Sequence, residues 1–324
     1  MDTQTNPSRS LVIPIYKNEL NLPDLLKALR DFSRTLSHDL EVVFVVDGSP
    51  DRCFELLRQM LPEQPYSSQL LELSRNFGSF SAIRSGLEIA SGRFFAVMAA
   101  DLQEPIHLIH EFFDILEQNS ADVVFGQRTG REDTLLTRLF SKIFWGVYRR
   151  VVMPDIPSGG VDIFACNHAV RETILTMGEV NTSLLGQLFW IGYKRRFVPY
   201  RRLPRKHGKS AWNLTKKMNY MLDSIFSFSD LPIQLLLILG TISLLASLVA
   251  SFTIFIMWFL GRIAVPGYTP IMLALLTIGS VLIIGQGIIG AYAWRILANT
   301  QRRPLFIVSS HLKYSKSYSV QEFK

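Results

Sequence analysis

From Leu11 to Phe125, short apolar runs alternate with stretches in which apolar residues recur every three or four positions. Leu11 to Tyr16 reads as a buried strand, and Asn21-Leu22-Pro23-Asp24 opens a helix with apolar positions at Leu25, Leu26, Leu29 and Phe32. Glu41 to Val46 is a second strand, ending at Asp47-Gly48-Ser49-Pro50-Asp51. Leu70 to Leu73 predicts a third strand, Ala82 to Ala90 a helix closed by Ser91-Gly92, and Phe94 to Ala99 a fourth strand. A helix over Ile106 to Gln118 and a fifth strand over Asp122 to Phe125 follow. Strands separated by helices predict an α/β fold with a mostly parallel sheet covered on both faces. Ligands of such sheets bind at the carboxyl ends of the strands.

The pattern then changes. Leu135 to Met153 repeats Leu135, Leu136, Leu139, Phe140, Ile143, Phe144, Val147 and Val151 at helical spacing, with Arg138, Lys142, Arg149 and Arg150 between them. Two readings stand: a basic amphipathic helix lying in a membrane interface, or a core helix with a solvated basic face. Trp212 to Phe228 has a similar pattern and leads into Leu231 to Gly261, which carries no charge; Ile263 to Trp294 carries none either. Each run exceeds the roughly 20 residues that cross a bilayer. Gly287 and Ala291 form a small-xxx-small pair suited to close helix approach.

The expected organisation is an N-terminal tail over 1–10, a cytoplasmic α/β domain over 11–210 that includes the interfacial helix 135–153, and a juxtamembrane helix over 211–230. Two membrane helices, about 231–260 and 270–294, and a tail over 295–324 complete it. Composition agrees: 48% of the 324 residues are hydrophobic, too many for a wholly soluble chain. Met1 to Ser10 is polar, so no secretory signal is read. Cys53 and Cys166 are the two cysteines, which fits a reducing compartment and gives no disulfide framework.

The net charge of +7 has a local source. No acid occurs between Glu179 and Asp223, an interval holding Lys194, Arg195, Arg196, Arg201, Arg202, Arg205, Lys206, Lys209, Lys216 and Lys217. No nucleic-acid motif accompanies these cations, and their place before an apolar span favours anionic headgroups or a phosphorylated lipid. Lys216, Lys217, Arg295, Arg302 and Arg303 flank the spans. The positive-inside rule therefore predicts a multi-pass inner-membrane protein with both termini cytoplasmic.

Polar residues cluster where the predicted strands end: Tyr16 and Glu19, Asp47, Arg75 and Asn76, then Asp101 and Gln103. The segments Pro14-Ile15-Tyr16-Lys17-Asn18-Glu19, Asp47-Gly48-Ser49, Ser74-Arg75-Asn76-Phe77-Gly78 and Asp101-Leu102-Gln103-Glu104-Pro105 resemble the successive motifs of family-2 GT-A glycosyltransferases. Within that family the chain is similar to the polyprenyl-phosphate glycosyltransferases, relatives of dolichyl-phosphate mannose synthase. The similarity extends through the basic segment and the two-span anchor.

The resemblance implies a GT-A sheet with interfacial helices and a two-helix membrane hairpin, and it implies roles for residues. Pro14, Tyr16, Glu19, Asp47, Arg75, Asn76 and Gly78 would surround the donor nucleotide, and Asp101 with Gln103 would hold Mg2+ or Mn2+. Arg128, Arg138, Arg205, Lys206, Lys209 and Ser210 would receive the acceptor phosphate and the diphosphate. Ser158-Gly159-Gly160-Val161-Asp162 resembles the loop that closes the acceptor side, with Asp162 orienting the acceptor or acting as base. The implied reaction is inverting transfer of a hexose, UDP-glucose first among donors, to an undecaprenyl-type phosphate. UDP-N-acetylhexosamines and GDP-mannose remain open. A homo-oligomer, a tetramer, is expected from the family, and Leu305 to Val308 is suited to add a strand to a neighbour.

The chain departs from the family pattern at two positions. Val46 stands where an aspartate often precedes Asp47, and Ala99 stands where the family usually has the first Asp of Asp-x-Asp. A catalytically degenerate homologue that binds lipid-linked sugar is therefore the competing reading, with another membrane family-2 transferase a third. His107, His110 and Glu111 share a helix face at ligand-like spacing, but no further ligand cluster accompanies them.

Overall fold

The computed structural model describes residues 8–36, 38–129, 146, 157, 161–179, 182–204, 222–223, 225–229, 231–260 and 268–315. The strands are β1 (Arg9–Ile15), β2 (Leu40–Val46), β3 (Ser67–Leu73), β4 (Phe94–Val97), β5 (Val123–Arg128), β6 (Val161–Asn167), β7 (Arg195–Tyr200) and β8 (Val308–Tyr314). The helices are α1 (Leu22–Thr35), α2 (Cys53–Met60), α3 (Ser79–Ile89), α4 (Ile106–Glu117), α5 (His168–Thr176), α6 (Leu184–Trp190), α7 (Leu231–Phe259) and α8 (Tyr268–Thr300).

One eight-stranded sheet runs β7-β5-β6-β4-β1-β2-β3-β8. β1 pairs in parallel with both β2 and β4, β2 with β3, and β5 with β7, whereas β6 and β8 run antiparallel to their neighbours. The sheet is thus mostly parallel and mixed. In β2 all seven residues are buried, and the period-two geometry of a strand divides them between the faces. Val42, Phe44 and Val46 join Leu11, Ile13 and Ile15 beneath α1, α2 and α4. Val43 and Val45 join Val12, Leu71 and Phe95 beneath α3, α5 and α6. Arg9, only 2% exposed, makes a two-pronged ion pair with Glu117 at 2.7 and 2.8 Å, fastening β1 to the end of α4.

α1 forms where Pro23 sits in its first turn and Leu22, Leu25, Leu26, Leu29 and Phe32 make one buried stripe. Its start at Leu22 and the spans of β1, β2 and α4 fall within two residues of the expected ones. Three regions differ from the sequence reading. Val161 and Asp162 open β6 rather than finishing a loop, because an antiparallel strand there closes the gap between β4 and β5. Arg195 and Arg196 lie in β7, which begins with a half-buried Arg195 and an exposed Arg196 and buries Val198 and Tyr200 toward its end. The segment read as a tail supplies β8, which pairs with β3 of its own chain over 308–314, rather than Leu305 to Val308 pairing with a neighbour.

α7 and α8 are 29 and 33 residues long. Leu235, Ile238, Ile242, Leu245, Val249 and Phe252 of α7 are exposed, as are Ile271, Leu275 and Leu282 of α8. Taken over the described side chains alone, neither helix is long and apolar enough to cross a membrane. Taken over its whole sequence, α7 carries no charge, and α8 carries none before Arg295. Close approach between these helices occurs at Gly285, where an added Cβ would lie 3.0 Å from Leu236 Cδ1. Among the described residues, nothing lies within 4 Å of that position at Gly287, the expected contact.

Candidate functional site

The carboxyl ends of β4, β1, β2 and β3 are neighbours in the sheet. At about 4.8 Å per strand they present a rim about 15 Å wide. After β1 the chain turns through Lys17 at φ +54°, and after β2 through Gly48 at φ +53°. The two turns are laced together. Lys17 N–H donates to Ser49 Oγ at 2.8 Å, Ser49 donates to Asp51 Oδ1 at 2.6 Å, and Glu19 N–H donates to Asp51 Oδ2 at 3.2 Å. Arg52 N–H returns a bond to Glu19 Oε2 at 3.1 Å. Burial raises the Asp51 carboxyl pKa, but the hydrogen bonds from Ser49, Cys53 and Glu19 outweigh it and hold the group below the ordinary aspartate value. Pro14 pairs in register with Val45, and Tyr16 is half-buried with Lys17 Nζ 5.4 Å from its ring centre.

Asp47 is 3% exposed, and its carboxylate joins β2 to the turn after β3. Oδ1 accepts from Phe77 N–H at 2.7 Å and Oδ2 from Gly78 N–H at 2.9 Å, while Asn76 Nδ2 donates to the Asp47 carbonyl at 3.3 Å. A Cβ on Gly48 would lie 2.2 Å from the Arg75 carbonyl carbon, so the two turns touch backbone to backbone. Arg75 is exposed and stacks its guanidinium 4.1 Å from the centre of the Phe77 ring. Gly78, at φ +96°, caps α3.

Asp101, 8% exposed, follows β4 in a turn where Leu102 adopts φ +53°. Gln103 N–H approaches Asp101 Oδ1 at 3.4 Å. The same turn is stitched to the start of the basic segment: Leu203 N–H donates to the Gln103 carbonyl at 2.8 Å, and Gln103 Nε2 donates to the Leu203 carbonyl at 3.1 Å. Arg202 Nε lies 3.8 Å from the buried Glu104 carboxylate. The Gln103 amide nitrogen is thus engaged with the backbone, leaving its oxygen as the atom a metal would meet.

Arg128 closes β5 opposite Tyr200, where Thr129 donates its N–H and hydroxyl to the Tyr200 carbonyl at 2.8 and 2.9 Å. Asp162 lies in β6; its side chain, and Arg138, Arg205, Lys206, Lys209, Ser210, residues 135–153 apart from Gly146, where an interfacial helix is expected, and all of 211–221, lie outside the described residues. The structure therefore brings Tyr16, Glu19, Asp47, Arg75, Asn76, Gly78, Asp101 and Gln103 to one rim. Lys17, Ser49 and Asp51 join this rim without an expected role of their own, although Ser49-Pro50-Asp51 is a turn signal. The link from Gln103 to Leu203 had no local signal at all.

The described residues fit a divalent cation that shares its ligands with a substrate. Among them no group of three His, Cys, Asp or Glu side chains converges. One carboxylate beside a diphosphate suits a hard, six-coordinate cation, whose remaining positions phosphate oxygens and water can fill. His107, His110, Glu111 and Asp114 instead line a groove of about 660 Å³ between α1 and α4, where His110 Nδ1 meets Asp114 at 2.9 Å. Burial pushes the thiols of Cys53 and Cys166 up to about 12, so neither offers a thiolate near neutral pH.

Residues 10–175 match the family described as glycosyl transferase family 2. The chain is 36% identical over 309 residues to an uncharacterised glycosyltransferase of Synechocystis sp., covering 93% of this chain and 94% of that one. It is 31% identical over 301 residues to a prophage bactoprenol glucosyl transferase homologue of Escherichia coli K12, covering 92% and 97%. Over 303 residues it is 30% identical to the bactoprenol glucosyl transferase of Shigella phage SfV, covering 93% and 98%.

Proposed function

This chain belongs to glycosyl transferase family 2 and is a glycosyltransferase. On that premise we propose that it transfers a hexose, from UDP-glucose first among donors, to a polyprenyl phosphate of the undecaprenyl type at the cytoplasmic face of the inner membrane. The relatives named bactoprenol glucosyl transferases support the acceptor and the sugar. One observation carries the membrane side of the reading. β8 runs antiparallel to β3, and Ser74 N–H donates to the Ile307 carbonyl at 2.9 Å, so the chain leaving α8 arrives at the rim that holds the site. The uncharged lengths of α7 and α8 and their exposed apolar side chains support a two-helix hairpin in the bilayer below that rim.

In this reading the loops of Tyr16, Glu19, Asp47, Arg75, Asn76 and Gly78 hold the nucleoside. Asp101, with the Gln103 oxygen, would hold Mg2+ or Mn2+, which when bound neutralises the diphosphate leaving group. Arg128 receives the acceptor phosphate together with Arg138, Arg205, Lys206, Lys209 and Ser210. A phosphate oxygen forms the new bond to the anomeric carbon as the bond to the nucleoside diphosphate breaks, inverting the centre. A phosphate monoester with a second pKa of about 6 is already anionic near neutral pH. Asp162 therefore orients the acceptor more than it removes a proton. The assembly is a homo-oligomer, taken as a tetramer, with both termini cytoplasmic.

The test is to incubate the purified protein with undecaprenyl phosphate, Mg2+ or Mn2+, and a panel of labelled sugar nucleotides. Label extracted with the lipid from UDP-glucose, and lost on chelation, is the expected result. No lipid-borne label from any donor would favour the degenerate, lipid-sugar-binding homologue.

A further inference from the structure

We infer that Arg295, with Asp223 and Phe226, is a joint that sets the height of the active-site rim above the bilayer, and so positions it for a membrane-borne acceptor. This rests on the reading of α7 and α8 as a membrane hairpin. Arg295 follows the uncharged stretch of α8 and is 17% exposed. Its guanidinium donates to Asp223 Oδ1 at 2.7 Å and to Ser227 Oγ at 3.3 Å, and lies 5.1 Å from the centre of the Phe226 ring. Tyr292, one turn earlier on α8, meets the same ring edge-on at 5.3 Å. A planar, fork-shaped cation gripping a carboxylate, a hydroxyl and a ring fixes orientation as well as distance.

The segment held by Arg295 is itself seated on the catalytic domain. Ile225 and Phe228 pack against the core beneath α3, α5 and α6. Phe228 fits where Gly186 of α6 has no side chain; a Cβ there would lie 2.3 Å from its ring. Residues 225–229 therefore touch the catalytic core through Phe228 and α8 through Phe226. The second connection, from α8 to β8, reaches the rim at Ser74. Two attachments on one body leave little freedom in how far the rim stands from the end of α8. A lipid phosphate held at the bilayer surface is sensitive to that distance, whereas a freely diffusing donor is not.

The test uses the full chain in nanodiscs of bacterial lipid, with Arg34→Cys on the exposed end of α1 carrying a dye and a second dye in the lipid plane. Arg295→Ala is expected to change the energy transfer between them, and Arg295→Lys, which keeps the charge but loses the planar fork, to change it by a smaller amount. In turnover, Arg295→Ala is expected to raise KM for bilayer-borne undecaprenyl phosphate about tenfold, the loss of one charge-assisted hydrogen bond. KM for the nucleotide sugar and turnover of a short, water-soluble prenyl phosphate are expected to match the parent. Gly186→Val, which displaces Phe228, is expected to act in the same direction. Unchanged energy transfer in both variants, or equal losses with both acceptors, overturns the joint. A parent that glycosylates neither acceptor overturns the proposed reaction instead, and the dye distances still decide the joint.

Discussion

Asp47 and Gly78, 31 residues apart in sequence, are held together by a 2.9 Å hydrogen bond from the Gly78 N–H to Asp47 Oδ2. With the matching bond from Phe77, it spends the carboxylate on shaping the rim. Asp47→Ala would strand two part-buried N–H groups, each costing up to about 1–3 kcal/mol. Nucleotide affinity is expected to fall at least about tenfold, a free-energy loss of that same order. Asp47→Asn, which keeps one acceptor, is expected to lie between. Titration calorimetry with UDP decides it; affinity within twofold of the parent in the alanine variant would refute the clamp.

Gly48→Ala tests the same contact from the other side. A methyl group there meets the Arg75–Asn76 backbone at 2.2–2.6 Å, at a φ that costs a non-glycine residue about 1–2 kcal/mol. We expect a melting temperature several degrees below the parent and weaker nucleotide binding. An unaltered melting curve would show that the turns have room to separate.

Asp101→Asn removes the charge and keeps the shape of the turn. Turnover is expected to fall at least about a hundredfold, since neutralising a leaving diphosphate is worth several kcal/mol. Circular dichroism and melting are expected to match the parent. Substantial residual turnover that still depends on Mg2+ or Mn2+ would move the metal to another residue.

Much of this arrangement was legible in the chain. The short continuous apolar runs of β1 and β2 and the stripe on α1 marked the parallel half of the sheet, because each is a local pattern of neighbouring residues. Tyr16, Asp47 and Asp101 stood out as polar residues where apolar runs stop. What the sequence did not disclose was long-range: β8 joins β3 from 237 residues away at Ser309 and Glu72, and Leu203 meets Gln103 from 100 residues away. β6 was hidden because two glycines precede it and Asp162 interrupts its apolar run, and β7 because two arginines and Pro199 break its pattern. Asp47 was read as a ligand of the nucleoside, and its contacts with Phe77 and Gly78 give it a scaffolding task that no local pattern encodes.

The pH response of the C-terminal strand follows from His311. Its Nε2 lies 2.7 Å from Gln69 Oε1, and the Gln69 amide is fixed because its nitrogen donates to Glu41 and to the Ile89 carbonyl. Burial, and then the charge of Lys313, hold the His311 pKa below the ordinary 6.5. The folded strand thus favours the neutral ring. Its contribution is complete above pH 6.5 and is lost as the pH falls from there through the lowered value. Amide exchange in β8, corrected for intrinsic rates, is expected to quicken between pH 7.5 and pH 5.5, and His311→Gln to remove that component. A pH response unchanged in His311→Gln would assign it elsewhere.

The antiparallel docking of β8 on β3 also imposes an order on biosynthesis. β3 is made early and its partner strand last, after both long helices have left the ribosome. Until then the nascent domain carries an unpaired edge beside Ser74 and Arg75, the kind of edge that recruits other chains. Completion of the sheet is therefore a checkpoint passed only by a chain in which both long helices have already been made, and a molecule truncated after α8 would leave the rim beside Ser74 unfinished.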